Sequence, residues 1–327
     1  MIFTDSNWRI LATNSIKSKN RLLVEPFKVH ILGCGSALPT LRHYASSQVV
    51  EVRDKVLMLD CAEGTQMQLR KCRVRFTKLS HVFITHLHGD HCFGLIGMIS
   101  TFGLLGRTAR LHVHGPEALG PELERQIQFF THDLGFEVVF YPVDTTVRGV
   151  VYEDRSITVE SIPLEHRLPC CGYLISERPT LPHIRREMMD CYGIPASQVG
   201  NIKNGADWTL PDGEVIPNSR LVIPADPSRS YAYISDTRYM PHLHEQLLGV
   251  NTLYHESTYG DDHLPQSEKY FHSTARQAAT VARDAGVGRL LLGHYSSRYE
   301  DENVLLNEAK EVFPQTFLTN EMEIFDI

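Results

Sequence analysis

Short apolar runs alternate with polar turns along most of this chain. Lys28-Val29-His30-Ile31-Leu32 reads as a strand that ends in the turn Gly33-Cys34-Gly35. Two more strands are expected at about 47–53 and 55–59, the second running into Asp60-Cys61-Ala62-Glu63-Gly64. A helix from Thr65 to about Cys72 precedes a strand from His81 to Thr85. Strands at Ala109 to His114 and Glu137 to Tyr141 flank a helix from Pro116 to about Phe130. Ser156 to Leu164 alternates, and Cys171 to Ser176 returns along it. Later strands are expected at Tyr231 to Ser235, Thr252 to His255, Arg289 to Leu292 and near Glu323 to Phe325. Helices are expected near Pro241 to Leu248, at Ser273 to Ala285 and at Glu302 to Phe313. Grouped strands with interspersed helices predict an α/β fold, two packed mixed sheets with helices outside (αββα).

Two stretches fall outside that rhythm. Residues 1–26 form an N-terminal extension closed by Pro26, so the main domain spans 27–327. From about 177 to 217 five prolines interrupt the chain, leaving a helical segment at His183 to Tyr192 and the hairpin signal Trp208-Thr209-Leu210-Pro211-Asp212-Gly213. With little core-forming periodicity, this stretch is expected to protrude as an element with its own purpose, a tolerated surface insertion being the other reading.

Composition narrows the class. With 42% apolar and 22% charged residues, the chain is an ordinary globular protein. Its longest weakly polar stretch, Phe93 to Gly106, is too short to span a bilayer, so no membrane partner is expected. No charged-then-apolar leader opens it, and a cytoplasmic location follows as an expectation. Seven cysteines without a C-x-x-C pair point to reduced thiols, with adjacent Cys170 and Cys171 read as packing. A net charge of −7 means that any RNA partner needs a local basic surface. Arg70-Lys71-Cys72-Arg73-Val74-Arg75-Phe76-Thr77-Lys78 offers one; a solvated helix end accounts for it equally well.

The excess is in histidine. Thr85-His86-Leu87-His88-Gly89-Asp90-His91 follows the apolar run Val82-Phe83-Ile84. Side chains two apart on an extended chain share a face, so His86 and His88 can address one ion. Gly89 permits a sharp turn that brings Asp90 and His91 round to a second. His166, Asp236 and His294 each follow a strand and complete a set of seven nitrogen and oxygen ligands. Ligation without thiolate suits zinc, with manganese or iron as alternatives.

The His-x-His-x-Asp-His string with the later His, Asp and His resembles the metallo-β-lactamase superfamily. Gly33-Cys34-Gly35-Ser36-Ala37-Leu38-Pro39-Thr40, Asp60-Cys61-Ala62-Glu63-Gly64-Thr65-Gln66, Ser235-Asp236-Thr237-Arg238, His255-Glu256-Ser257-Thr258-Tyr259, His272-Ser273-Thr274-Ala275 and Gly293-His294-Tyr295-Ser296-Ser297-Arg298-Tyr299 resemble, more narrowly, the ribonuclease Z family. That resemblance implies a metallo-β-lactamase fold and two zinc ions per subunit. His86, His88 and His166 would hold one, Asp90, His91 and His294 the other, with Asp236 bridging. It implies removal of the 3′ trailer from precursor tRNA, leaving a 3′-hydroxyl, by a homodimer. Asp90 would orient the attacking water, and His272, paired with Glu256, or else His255, would protonate the leaving oxygen. Thr274 would contact a phosphate. The protruding stretch would be a flexible arm that grips tRNA through Arg178, Arg185, Arg186 and Lys203, although six acidic residues share its length. Where the family carries a Lys-x-Arg-Asn-like loop, this chain reads Leu41-Arg42-His43-Tyr44. Two other readings stay open: a dizinc phosphodiesterase for small or cyclic nucleotides, and a non-catalytic RNA-binding scaffold.

Overall fold

The computed structural model describes residues 25–131 and 133–327, so the extension expected over 1–26 lies, up to residue 24, outside the described residues. Among the described residues two seven-stranded sheets face each other. The first runs, edge to edge, Ile324–Asp326, Phe27–Gly33, Ser47–Val52, Lys55–Cys61, Leu79–Phe83, Leu111–Pro116 and Val138–Val143. The second runs Thr316–Leu318, Arg289–Gly293, Thr252–Glu256, Ser230–Ile234, Cys170–Glu177, Ile157–Leu164 and Gly149–Glu153. Each sheet joins an antiparallel half to a parallel half. Parallel strands end at the same side, and their C-terminal loops meet in a crevice there.

Burial on both faces explains the near-continuous apolar strands. In the first sheet Val29, Ile31, Val50, Leu57, Leu59 and Phe83 point into the sandwich. Their neighbours Leu32, Val49, Val56, Met58, Val82 and Ile84 point outward beneath the helices Leu95–Leu104 and Leu119–Phe130. Outside the second sheet, Ala275, Ala278, Ala279, Ala282 and Ala285 form the buried stripe of the helix Ala275–Ala285. Their small side chains let the helix lie close against the sheet.

Several elements differ from the sequence reading. Leu95–Leu104 is a helix, hidden in the sequence because glycines break an apolar surface with no polar stripe. Gly149–Glu153 and Thr316–Leu318 are short edge strands, and Leu264–Tyr270 is an additional helix. Pro241–Gln246 is a 3-10 turn rather than an α-helix. His183–Ile184 pairs with Val222–Ile223 as a two-stranded ribbon, and only Arg186–Cys191 of the expected helical segment is helical.

Between Glu177 and Ser230 the chain builds a module of its own. Met189, Ile194, Ile202, Ile216, Leu221 and Val222 are buried together, with Trp208 and Tyr192 packed against them. At its root Glu177 is buried and accepts hydrogen bonds from Arg53 Nε at 3.1 Å, Arg229 N at 3.1 Å and Arg229 Nη2 at 2.8 Å. Burial raises this carboxyl's pKa, but the two guanidinium groups outweigh it and hold it below the usual carboxylate range.

A buried histidine stack carries a pH prediction. His81 Nδ1 lies 3.0 Å from His114 Nε2, and His114 stacks between Phe83 at 4.5 Å and Tyr141 at 4.8 Å. Burial, with repulsion from neighbouring imidazoles, pushes His81 down to about 4 and His114 to about 3. The unfolded chain binds these protons near pH 6.5 and the folded chain does not. Their stabilisation is therefore complete above about pH 6.5 and is lost as pH falls toward 4, by on the order of 3 kcal/mol per ring. His114→Phe is expected to flatten the fall in melting temperature between pH 7 and 4.5; an unchanged profile would refute the assignment.

Candidate metal centre and active-site cleft

The strand ends deliver the candidate ligands. His86 and His88 follow Leu79–Phe83, His166 follows Ile157–Leu164, Asp236 follows Ser230–Ile234, and His294 follows Arg289–Gly293. Gly89–Cys92 makes a single helical turn that carries Asp90 and His91. His88 Nδ1 lies 3.0 Å from His86 Nε2 and 3.2 Å from His166 Nε2. Asp236 Oδ2 lies 3.7 Å from His86 Nε2 and 3.8 Å from His166 Nε2. Its other oxygen, Oδ1, lies 3.4 Å from His91 Nε2 and 3.1 Å from His294 Nε2. Asp90 Oδ2 stands 3.5 Å and 3.6 Å from the same two nitrogens. All seven residues thus converge as two four-ligand groups that share Asp236.

These groups fit divalent cations on their own chemistry. His91 Nε2, Asp236 Oδ1 and His294 Nε2 are buried, point at one another and have no hydrogen-bond partner among the described residues. Leaving such atoms unsatisfied is costly, and a cation at their common focus removes the cost. Burial keeps His86, His88 and His166 unprotonated, the form that ligates. Around His91 burial opposes a proton, but Asp236, Asp60 and Asp90 outweigh it and raise its pKa. That half of the site therefore attracts positive charge.

An outer layer fixes the imidazoles. Asp60 Oδ2 lies 2.8 Å from His91 Nδ1 and accepts from Tyr233 OH and Thr85 Oγ1, each at 3.0 Å. Thr85 Oγ1 lies 3.0 Å from His86 Nδ1. The Phe271 carbonyl is 2.9 Å from His166 Nδ1, and Thr258 Oγ1 is 2.8 Å from His294 Nδ1. Such partners set tautomer and ring orientation, which is how ligand geometry is held. Asp60 adopts φ 55, a left-handed conformation uncommon for a non-glycine residue. The sequence reading gave Asp60 and Thr258 no role. Their only signal there was membership of the strings that carried the resemblance.

The cleft above these ligands has a volume of about 650 Å³ and is lined also by Arg167, Tyr259, Tyr270, His272 and Arg298. Glu256 is fully buried, and its Oε1 lies 3.0 Å from His272 Nδ1 and accepts from Ser273 N at 3.0 Å. Burial disfavours a charged His272, but Glu256, Asp236 and Asp90 prevail and bring its pKa up to about 9. Glu256 thus holds the His272 ring and favours its protonated form. His255 is corrected: it is buried, its Nδ1 lies 2.7 Å from the Glu256 carbonyl, and it does not line the cleft. Adjacent strand residues face opposite ways, and Glu256 holds the inward face. Thr274 is corrected too. Its hydroxyl donates to Asp261 Oδ1 at 2.9 Å and accepts from Gln277 N, while its own N–H donates to Gln277 Oε1. It is a buried helix cap, worth about 1 kcal/mol, with no group left for phosphate. Arg185, Arg186 and Lys203 sit on the arm, away from the cleft, and Arg185 Nε is spent on the Val222 carbonyl at 3.1 Å.

The comparisons with known proteins bear on this geometry. A family model described as anti-Pycsar protein Apyc1 matches residues 27–174. A ribonuclease Z of Bacteroides fragilis is 56% identical over 91% of this chain and 98% of its own length. A ribonuclease Z of Porphyromonas gingivalis is 48% identical over 92% and 99%. Among solved structures, human tRNase Z, short form, superposes with a TM-score of 0.65 at 22% identity, covering 91% of this chain and 98% of that one. The metallo-β-lactamase fold protein YhfI from Bacillus subtilis gives 0.65 at 18% identity, covering 93% and 100%. With identity above one half over 91% of its length, the chain belongs to the ribonuclease Z family and has the metallo-β-lactamase fold.

Proposed function

We propose that this chain is a dizinc endoribonuclease that cuts the 3′ trailer from precursor tRNA and leaves a 3′-hydroxyl on the tRNA. The observation that carries the reading is the pair of ligand groups joined through the two oxygens of Asp236. His86, His88, His166 and Asp236 would hold one ion, and Asp90, His91, His294 and Asp236 the other. Two such ions, when bound, acidify a water and clamp the charge that develops at phosphorus. Asp90, in the wall of the cleft, orients the attacking water and takes up its proton. Arg167 and Arg298 face the same space and offset phosphate charge. His272, protonated and held by Glu256, donates its Nε2 proton to the departing ribose 3′-oxygen.

The arm between Glu177 and Ser230 holds the tRNA body at a distance from the cut, Arg186 and Lys203 supplying phosphate contacts. Seven free cysteines support a reducing, cytoplasmic setting, and no helix among the described residues is long and apolar enough to cross a membrane. A homodimer is part of the reading, on the family resemblance, and sedimentation would check it.

Incubating zinc-loaded protein with a precursor tRNA and mapping the product ends tests the reading. One cut on the 3′ side with a 3′-hydroxyl supports it; an intact precursor alongside hydrolysis of small phosphodiesters defeats it. His272→Ala is expected to lower kcat by about 100-fold or more with little change in KM. Glu256→Gln, which keeps the shape but loses the charge, should give an intermediate loss in the same assay.

A further inference from the structure

Beside the catalytic cleft lies a second hollow of about 660 Å³, and the two share Ala37, Gly89 and Asp90 in their walls. Tyr44 and Phe93 stand at its sides, with 40% and 71% of their surfaces exposed. Exposed aromatic faces beside a phosphodiester-cutting centre are platforms on which bases stack regardless of sequence. The loop that carries Tyr44 is pinned. Tyr44 N donates to Glu321 Oε1 at 2.8 Å, and the adjacent His43 lies between Glu321 at 3.0 Å and Glu302 at 3.3 Å.

The hollow leads to the basic segment Arg70 to Lys78, which the sequence offers as a local basic surface for RNA or as a solvated helix end. A Cβ on Gly64 would come within 2.7 Å of the Tyr44 ring, so the ring lies against the turn that opens the helix Thr65–Lys71. At the far end of that helix, Lys71 Nζ sits 5.2 Å from the Tyr44 ring centroid. Arg70, Lys71, Arg73, Arg75 and Lys78 are all exposed. None of them has an acidic partner among the described residues, in a chain whose net charge is −7. Other surface cations are tied down, as Arg276 is by Asp261 and Glu311 and Arg148 is by Glu160, but among the described residues no carboxylate does so in this segment. Five unpaired like charges close together repel one another, and a polyanion lying along them relieves the repulsion.

We propose that this hollow and the five cations form a track for the unpaired 3′ trailer, its first bases against Phe93 and Tyr44 and its later phosphates on the Arg70 to Lys78 segment. The proposal rests on the precursor-tRNA reading above. A single strand suits the hollow, whereas on the tRNA side of the cut the strand soon enters a base-paired stem. The track would let the enzyme bind precursors of any trailer sequence, with affinity rising as the trailer lengthens.

The test compares precursor tRNAs with trailers of about two and about ten nucleotides, titrated with zinc-loaded enzyme under single-turnover conditions across a salt series. Wild-type enzyme should reach half-saturation at a concentration at least about tenfold lower for the long trailer. In a variant carrying Lys71→Gln, Arg73→Gln and Arg75→Gln that ratio should fall to near one. The long-trailer salt slope should fall by about two, since each phosphate of a single strand that a cation neutralises contributes roughly 0.7 through counterion release, and three cations are removed. Cleavage of the short-trailer precursor by the variant reports that it is folded. A preference that survives in the variant, or no preference in the wild type, overturns the proposal. If wild-type enzyme cleaves neither precursor, the precursor-tRNA reading itself has failed.

Discussion

Asp90→Ala is expected to lower kcat for precursor tRNA cleavage by about 1000-fold, within the range for removing a positioned general base. Its carboxylate faces the cleft while Oδ2 stands within 3.6 Å of both His91 Nε2 and His294 Nε2, so in the proposed reaction one side chain would serve both ligation and proton transfer. Asp90→Asn separates the two tasks. An amide oxygen can still ligate but cannot accept the proton, so metal content measured by elemental analysis should fall less than activity. Processing that persisted in Asp90→Ala would favour the RNA-binding scaffold over the hydrolase.

Replacing residues 179–228 with a short turn is expected to cost roughly 100-fold or more in kcat/KM on precursor tRNA, because binding energy far from the scissile bond drives the reaction on a large substrate. Hydrolysis of a small phosphodiester should change little. The root of the arm makes this deletion feasible: Ser176 and Ser230 are already paired across adjacent strands, and Glu177 N donates to the Arg229 carbonyl at 2.9 Å. A cut ending at residue 216 would instead strand Leu221 and Val222, which belong to the arm's own buried cluster. Equal loss on both substrates, with the body folded by circular dichroism, would count against a tRNA clamp.

How much of this was legible before the structure depends on the kind of signal. The convergence of strand-end His and Asp residues was readable because apolar runs locate strands and such residues at their ends are conspicuous. The choice between His255 and Glu256 was not, since strand alternation says that they face opposite ways without saying which way is inward. Thr274 looked like a phosphate contact in the first turn of a helix, and only the positions of Asp261 and Gln277 reveal that its polar groups are spent. Asp60 was invisible as a site residue because its role comes from a left-handed turn that aims it across the sheet at His91. The arm's core escaped notice for a related reason: Met189, Ile194, Ile202, Ile216, Leu221 and Val222 follow neither helical nor strand spacing.

The division of the ligand set between the two sheets carries one more consequence. His86, His88, Asp90 and His91 follow a strand of the first sheet, while His166, Asp236 and His294 follow strands of the second. Neither half alone can complete either group of four. Ion occupancy and the docking of one half on the other are therefore a single linked equilibrium. A metal bound there would be a rivet through the seam of the molecule as well as a reagent, and scarcity of the ion would empty the site and loosen the two halves together.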